Sequence, residues 1–409
     1  MIQALSRGIA ATAALLVVGC GAEPRATGDW MGTVYDSVGV LVVDNPERGL
    51  WTPGAAWRLE EELRIGVPDG DPVREFGRIS DIGVDRSGRM YVLERHAVEI
   101  RVFDDEGEFV HAFGRPGGGP GELASPSAVL IGAADTVFIP DTRNQRVQRF
   151  LADGSEAGSF TISPADGIPL TWRIRPDGLL IEEVRTLPAP RAGEARNLLI
   201  VRRGDGVARE TLMETPVGDA MVIQNGQPQM TMFAPEPLWT MLTDGRVASG
   251  RNSEYRIELR TADGRLDRVV RRPFERQSFS ESDRRTVRAM LRERLEDQPP
   301  SPVRERMIQS MKYADHYPVY ASLFGGPDGT LWVRHAKHVS SLGPSDVEAF
   351  DVRAFGAPEY DVFDREGRFL GVIATPDRFQ VMQADAEHVY GVLRDDLGVQ
   401  RVVRLRVRR

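Results

Sequence analysis

Three observations predict an all-β chain folded as a six-bladed β-propeller, closed by an N-terminal strand and carrying a small helical insertion between blades four and five. First, Met90-Tyr91-Val92, Ile100, Phe103, Gly107 and Phe113 recur as Val137-Phe138-Ile139, Val147, Phe150, Gly154 and Phe160, every pair displaced by one interval. That interval falls in the range of roughly 40 to 50 residues that builds a four-stranded blade. Second, short β-rich runs are separated by Asp-Gly turns, without the alternating helices of a parallel sheet. Third, strand signals run one short at the C-terminus and are in surplus at the N-terminus, which is how a ring seals itself without a free edge.

At the N-terminus, Arg7 precedes an apolar run from Gly8 to Val18, too short for the roughly 20 residues that span a bilayer, and small Gly19 stands before Cys20. Cys20 is the only cysteine, so it has no internal disulfide partner. Leu16-Val17-Val18-Gly19-Cys20 resembles the lipobox of a bacterial lipoprotein. The resemblance implies a signal peptide over residues 1–19, lipidation of Cys20 after cleavage, and, with Gly21 rather than aspartate next, an outer-membrane address facing the periplasm. Residues 20–33 are small and polar and read as a tether, leaving 34–409 for the propeller.

Val38 to Val43 and Trp57 to Ile65 are strand-like runs with no partner nearby in sequence. Blade one then spans about Arg78 to Gly114 and blade two Ser127 to Phe160. Blade three starts near Trp172, turns at Asp177-Gly178 and Asp205-Gly206, and interposes a proline-rich loop around Leu187 to Ala195. Blade four follows a Met- and Gln-rich loop, Met221 to Pro237, and turns at Asp244-Gly245 and Asp263-Gly264. The insertion, about 280–312, is a helical hairpin. Val287, Met290, Leu291 and Leu295 recur at helical spacing behind a Ser280/Asp283 capping box, and Val303, Met307, Ile308 and Met311 follow in a second run. Blade five opens at Asp328 to Val333 and echoes blade one through Val362 to Leu370. The last set offers Phe379 to Gln383, His388 to Val392 and Gln400 to Arg408, and the N-terminal strand is expected to supply its fourth strand.

The formal net charge is -8, and Lys312 and Lys337 are the only lysines among 52 basic residues. An acidic chain whose arginines alternate with Asp and Glu along strands is a poor binder of nucleic acid.

Gly114-Arg115-Pro116-Gly117-Gly118-Gly119-Pro120-Gly121-Glu122-Leu123, then Pro126 and Pro140 to Phe150, closely resemble an NHL repeat. Over its whole length the chain resembles bacterial six-bladed β-propeller lipoproteins with NHL-like repeats. That likeness implies a fold and an address, not a reaction. It also implies structural roles for Asp141, Asn144 and Arg146, which in such repeats tie strands to loops.

The glycine-rich run lacks a following Gly-Lys-Ser/Thr and a helix start, so it reads as an inter-blade turn rather than a phosphate loop. Calcium lactonases of propeller shape use oxygen ligands, but the asparagines here are too scattered to propose a set. A zinc-dependent lyase would need imidazoles on the axis. Of His96, His111, His316, His335 and His338, His96 and His335 stand at comparable places, each after an arginine. Arg95, His96, Arg334 and His335 are therefore the candidate axial binding residues. No catalytic residue, metal ligand or cofactor is assigned. The expected function is a lipid-anchored envelope module, monomeric and non-enzymatic, that binds or scaffolds a peptide, glycan or protein; the alternative is a metal-dependent hydrolase or lyase with an axial active site.

Overall fold

Short alternating runs cut by tight turns pair with their neighbours, and the chain accordingly forms six blades around one axis, each with four antiparallel strands at its heart and one of them extended further. The computed structural model describes residues 29–409 apart from 53, 69, 187–194, 219–220, 225–226, 296–298, 300, 343–355 and 396. The expected signal peptide, Cys20, most of the expected tether and nearly all of the proline-rich loop lie outside the described residues.

The innermost strands of blades one to six are Ile79–Val84, Leu130–Ile131, Ile168–Ile174, Pro237–Met241, Tyr320–Gly325 and Phe379–Ala384. Three further strands follow outward in each blade, and apolar side chains of adjacent blades merge into six inter-blade cores. The core between blades six and one, for example, joins Tyr390, Val392 and Val402 to Ile82, Met90 and Phe103. The middle strands of each blade are thus covered on both faces.

The ring closes as the strand count requires. Three strands precede blade one: β1 (Thr33–Ser37), β2 (Val40–Asp44) and β3 (Arg58–Ile65). β3 pairs antiparallel with Gln400–Arg408, from Val402 opposite Ile65 to Arg408 opposite Arg58, as the outermost strand of blade six. The earlier run does something else: β2 lies parallel to Leu266–Arg271 on the outer edge of blade four, and β1 folds back on it, giving that blade six strands. Only one of the two spare N-terminal runs is needed to seal the ring, so the other extends a different sheet.

The helical hairpin lies between blades four and five. α1 (Glu281–Arg294) starts at a capping box in which the Ser280 hydroxyl accepts from the Asp283 amide and the Asp283 carboxylate accepts from the Ser280 amide. α2 (Pro302–Ser310) turns only Ile308 fully inward, while Val303 and Met307 are exposed. Val287, Leu291 and Ile308 make their own core with Phe233, Phe279 and Tyr317. The Met- and Gln-rich stretch read as a loop contains a hairpin, Met221–Gln224 with Gln227–Met232, whose second strand pairs in parallel with Lys312–Tyr313 after α2. Two blade connections therefore join into one cap. Among the described residues no helix is long and apolar enough to cross a membrane.

One contact recurs around the ring. The glycine in the turn between the third and fourth strands of a blade presses on the outermost strand of the blade before it: Gly107 on Leu63 of β3, Gly154 on Phe113, Gly206 on Phe160, Gly264 on Leu212 and Gly367 on Val270 and Val43. A Cβ on Gly154 would sit 2.9 Å from the Cβ of Phe113, and its φ is +82°. Gly398 has almost the same φ, +80°, but nothing within 4 Å. Gly398→Ala should thus cost only the left-handed strain, about 1 kcal/mol, and Gly154→Ala that strain plus about 1–3 kcal/mol of overpacking. Urea-unfolding midpoints of the two variants check this; equal losses would remove the interlock as a stabilising contact.

Candidate functional site

The six innermost strands enclose an axial channel of about 1130 Å³, a volume that suits a ligand the size of a short peptide. Its aliphatic lining includes Val129, Ile131, Leu170, Leu238 and Val381, with Gln380 and Gln383 from blade six. One mouth is framed by turns between first and second strands, at Asp85, Asp135, Arg175, Asp328 and Asp385. Toward the other end stand Glu183, Arg185, Asn197, Arg334 and Tyr360, with Thr231 and Phe233 of the cap. Phe233 packs into the helical core and lines the channel as well, so the cap is part of the channel wall.

Most charges at the framed mouth are already spent on the fold. Asp85 accepts from the Ser87 and Arg89 amides, the Arg89 guanidinium and the Tyr91 hydroxyl. Asp385 accepts from the Tyr390 hydroxyl and the Glu387 and His388 amides. Arg175 donates to Ala262 and Asp177, and Arg365 to the Asp328 carbonyl.

Asp81 is different. It sits mid-strand in blade one, at a bulge between Ile79 and Asp81, and its carboxylate reaches across to accept from the Val129 amide of blade two at 2.9 Å. It opens onto the channel yet is packed around by protein. Burial pushes its carboxyl above the ordinary carboxylate value, against the charge of Arg173 on the first strand of blade three and the amides of Val129 and Ile82. Higher up, Arg185 Nε donates to Asn197 Oδ1 at 3.1 Å and Asn197 Nδ2 donates to Glu183 Oε1 at 3.1 Å. Both signs of charge therefore face the same cavity. Neither Asp81 nor Arg173 stands out by motif; the available signal is a charged residue in the middle of an otherwise apolar innermost strand.

The four residues singled out from sequence do not come together. Arg334 lines the channel, donates from Nε to the Ala357 carbonyl at 2.8 Å and lies over the Tyr360 ring. His335, next to it, bonds through Nε2 to Asp361 Oδ1 at 2.8 Å. Arg95 and His96 are exposed beyond the end of Met90–Glu94, do not line the channel, and His96 rests against Gly77. Strand register explains the mismatch. His335 pairs with Tyr320 where Glu94 pairs with Ile79, so His335 corresponds to Glu94 and His96 falls two residues later. The equivalence of the two histidines is corrected accordingly. The same position in blade two is Asp141, which accepts from the Ala124 and Ser125 amides and from Asn144, while Arg146 donates to the Gly119 and Glu122 carbonyls.

His335 belongs to a clamp between blades. Asp361, 1% exposed, accepts from His335, from the Tyr255 hydroxyl at 2.5 Å and from Arg272 at 2.6 Å, the last two donors coming from blade four and the segment just after it. Burial alone would raise the Asp361 carboxyl, but the His335 hydrogen bond, the charges of His335 and Arg272 and the Tyr255 hydroxyl together hold it below the usual range. Among the described residues, the group of three or more carboxylates or imidazoles close enough to share an ion is Asp104, Asp105 and Glu106, on a blade-one turn. It includes none of the histidines.

Two titrations should behave oppositely. Asp361, with its lowered value, stabilises the fold above the unfolded carboxyl value of about 4 and loses that contribution as pH falls through its folded value. Asp361→Asn should cost about 3 kcal/mol at neutral pH and progressively less in acid, by melting temperature against pH; a pH-independent gap would contradict the assignment. Asp81, with its raised value, carries a burial penalty that vanishes below about pH 4 and grows as pH rises through its folded value. Asp81→Asn should therefore melt above the parent at neutral pH, with the gap shrinking in acid; a variant that melts lower would contradict the penalty.

A family model described as a 6-bladed beta-propeller matches residues 73–161, which are blades one and two with their approaches. A search of curated proteins returns no match. Among solved structures, a Bacteroides fragilis protein whose name provisionally calls it exported aligns over 90% of this chain and 100% of its own, at 13% identity and TM-score 0.52. A Bacteroides vulgatus protein aligns over 86% and 98% at 10% identity and TM-score 0.43, and virginiamycin B lyase of Staphylococcus aureus over 86% and 99% at 10% identity and TM-score 0.43. The family match names the six blades that the sheets form, and the chain is a β-propeller.

Proposed function

We propose that the protein is a lipid-anchored binding module of the bacterial envelope, and that its axial channel takes a short peptide. The observation that carries the reading is the channel itself, about 1130 Å³ in volume with Asp81 and Arg173 both on its wall. A free peptide presents an ammonium and a carboxylate at its ends, and an incoming ammonium would relieve the burial cost of the Asp81 charge. The aliphatic side chains elsewhere on the channel wall, Val129, Ile131, Leu170, Leu238 and Val381, suit small side chains of such a peptide.

Placement in the envelope is supported by the lipobox-like residues Leu16 to Cys20 and by the export named for the Bacteroides fragilis protein of like fold. The NHL-like character is supported by the Asp141, Asn144 and Arg146 ties. The hydrolase or lyase alternative gains no such support, because His335 is spent on Asp361 and His96 stands outside the channel.

Isothermal titration with tri-alanine, against the same peptide N-acetylated and C-amidated, tests the binding reading. The free peptide should bind, capping should abolish binding, and Asp81→Asn should weaken it about tenfold or more; equal heats from free and capped peptide would refute it. The anchor is tested separately in cells, where Cys20→Ala should move the protein from the membrane to the soluble envelope fraction.

A further inference from the structure

The β1–β2 hairpin is rigid at its base and bare along its outer strand. Asn45, just after β2, donates to the Arg271 and Gly367 carbonyls and accepts from the Phe369 amide, and Arg271 holds Asp44 at 2.6 Å. Val43 is fully buried. By contrast, all five residues of β1 are exposed. Of the fourteen large hydrophobic side chains exposed among the described residues, four fall within residues 31–38: Met31, Val34, Tyr35 and Val38. That concentration marks a surface with a use.

The tip sharpens the point. Ser37 pairs with Val40, leaving a two-residue turn, Val38-Gly39, with φ of 55° and 83°. Such turns take Asn, Asp or Gly first, and a β-branched residue at positive φ is an outlier. Val38 is 100% exposed, so it adds nothing to any core in return for the strain. An apolar side chain held out into solvent at a conformational cost points to something outside the chain that covers it.

The chain between the hairpin and Cys20 says what that is. Eight residues lie between Cys20 and Asp29, where the described chain begins, so a lipid on Cys20 keeps that point within about 30 Å of the bilayer even at full extension. We propose that β1 and the Val38 tip rest on the phospholipid surface, with Met31, Val34, Tyr35 and Val38 at the boundary between headgroups and acyl chains. The contact is apolar in kind, with a tyrosine suited to the interface. It orients the propeller by the outer edge of blade four. The inference rests on the reading of Cys20 as the lipid-bearing residue.

Because Cys20 is the sole thiol, the chain from Cys20 onward can be coupled to phosphatidylcholine vesicles doped with a maleimide phospholipid, which bypasses biological acylation. Amide hydrogen exchange over residues 31–38 should slow at least threefold on coupling. Val38→Asn, whose side chain fits the turn, should raise the melting temperature yet cut that protection, separating membrane contact from folding. Unchanged exchange on coupling overturns the proposal, and so does equal protection in concentrated uncoupled protein, which would assign the surface to a second copy. A failure of lipidation in cells would appear only in the Cys20→Ala fractionation, leaving this result untouched.

Discussion

The ring depends on how closely each blade can approach the one before it, and a glycine in a tight turn sets that approach. Where Gly154 meets Phe113 and Gly206 meets Phe160, the turn backbone lies directly against an aromatic side chain of the neighbouring outer strand. A propeller blade cannot bury its two faces alone, so this contact, repeated from blade to blade, converts six marginal sheets into one body. It acts at the same place where the seam is sealed, since Gly107 meets Leu63 of β3. The last blade-six turn, at Gly398, is free of the constraint.

Polar groups divide into those that hold blades together and those left for the cavity. Asp361 gathers Tyr255, Arg272 and His335 with almost no exposure, and Asp141 gathers the amides at Ala124 and Ser125. Such clusters are fully partnered, as buried charge must be. Asp81 also crosses from one blade to the next, through Val129, but does so on the innermost strand and at a net burial cost. That imbalance sets Asp81 apart from Asp361, whose partners hold its carboxyl below the usual range.

The fold was legible because its repeat has a mechanical cause. The recurring pairs Phe113/Phe160 and Gly107/Gly154 are the two halves of the inter-blade contact, so the spacing seen in the sequence is the spacing of the ring. The capping box at Ser280 and closure by an N-terminal strand were equally readable, since each is decided locally or by counting strands, although the count did not say which of the two spare runs would do it. Placement of β2 was not readable, because an apolar run does not say which sheet edge will receive it. The cavity was hardest to see. Whether Asp81 or Arg173 faces the axis depends on register and on a bulge, and a shift of one residue turns a side chain to the opposite face. The same sensitivity separated His96 from His335.

Sealing the last blade with a strand from near the start of the chain has a consequence for biogenesis. β3 ends at Ile65 and its partner begins at Gln400, so the seam joins the earliest and latest parts of the propeller to leave the ribosome or a translocation pore. Until the final strand is delivered, the first blade lacks its neighbour and β3 waits unpaired. Contacts so distant along the chain are slow to form, and an exposed strand edge is the kind of surface that holding chaperones shield. Truncation before Gln400, which removes the strand that pairs with β3, would therefore leave an open arc with two sticky ends rather than a smaller propeller.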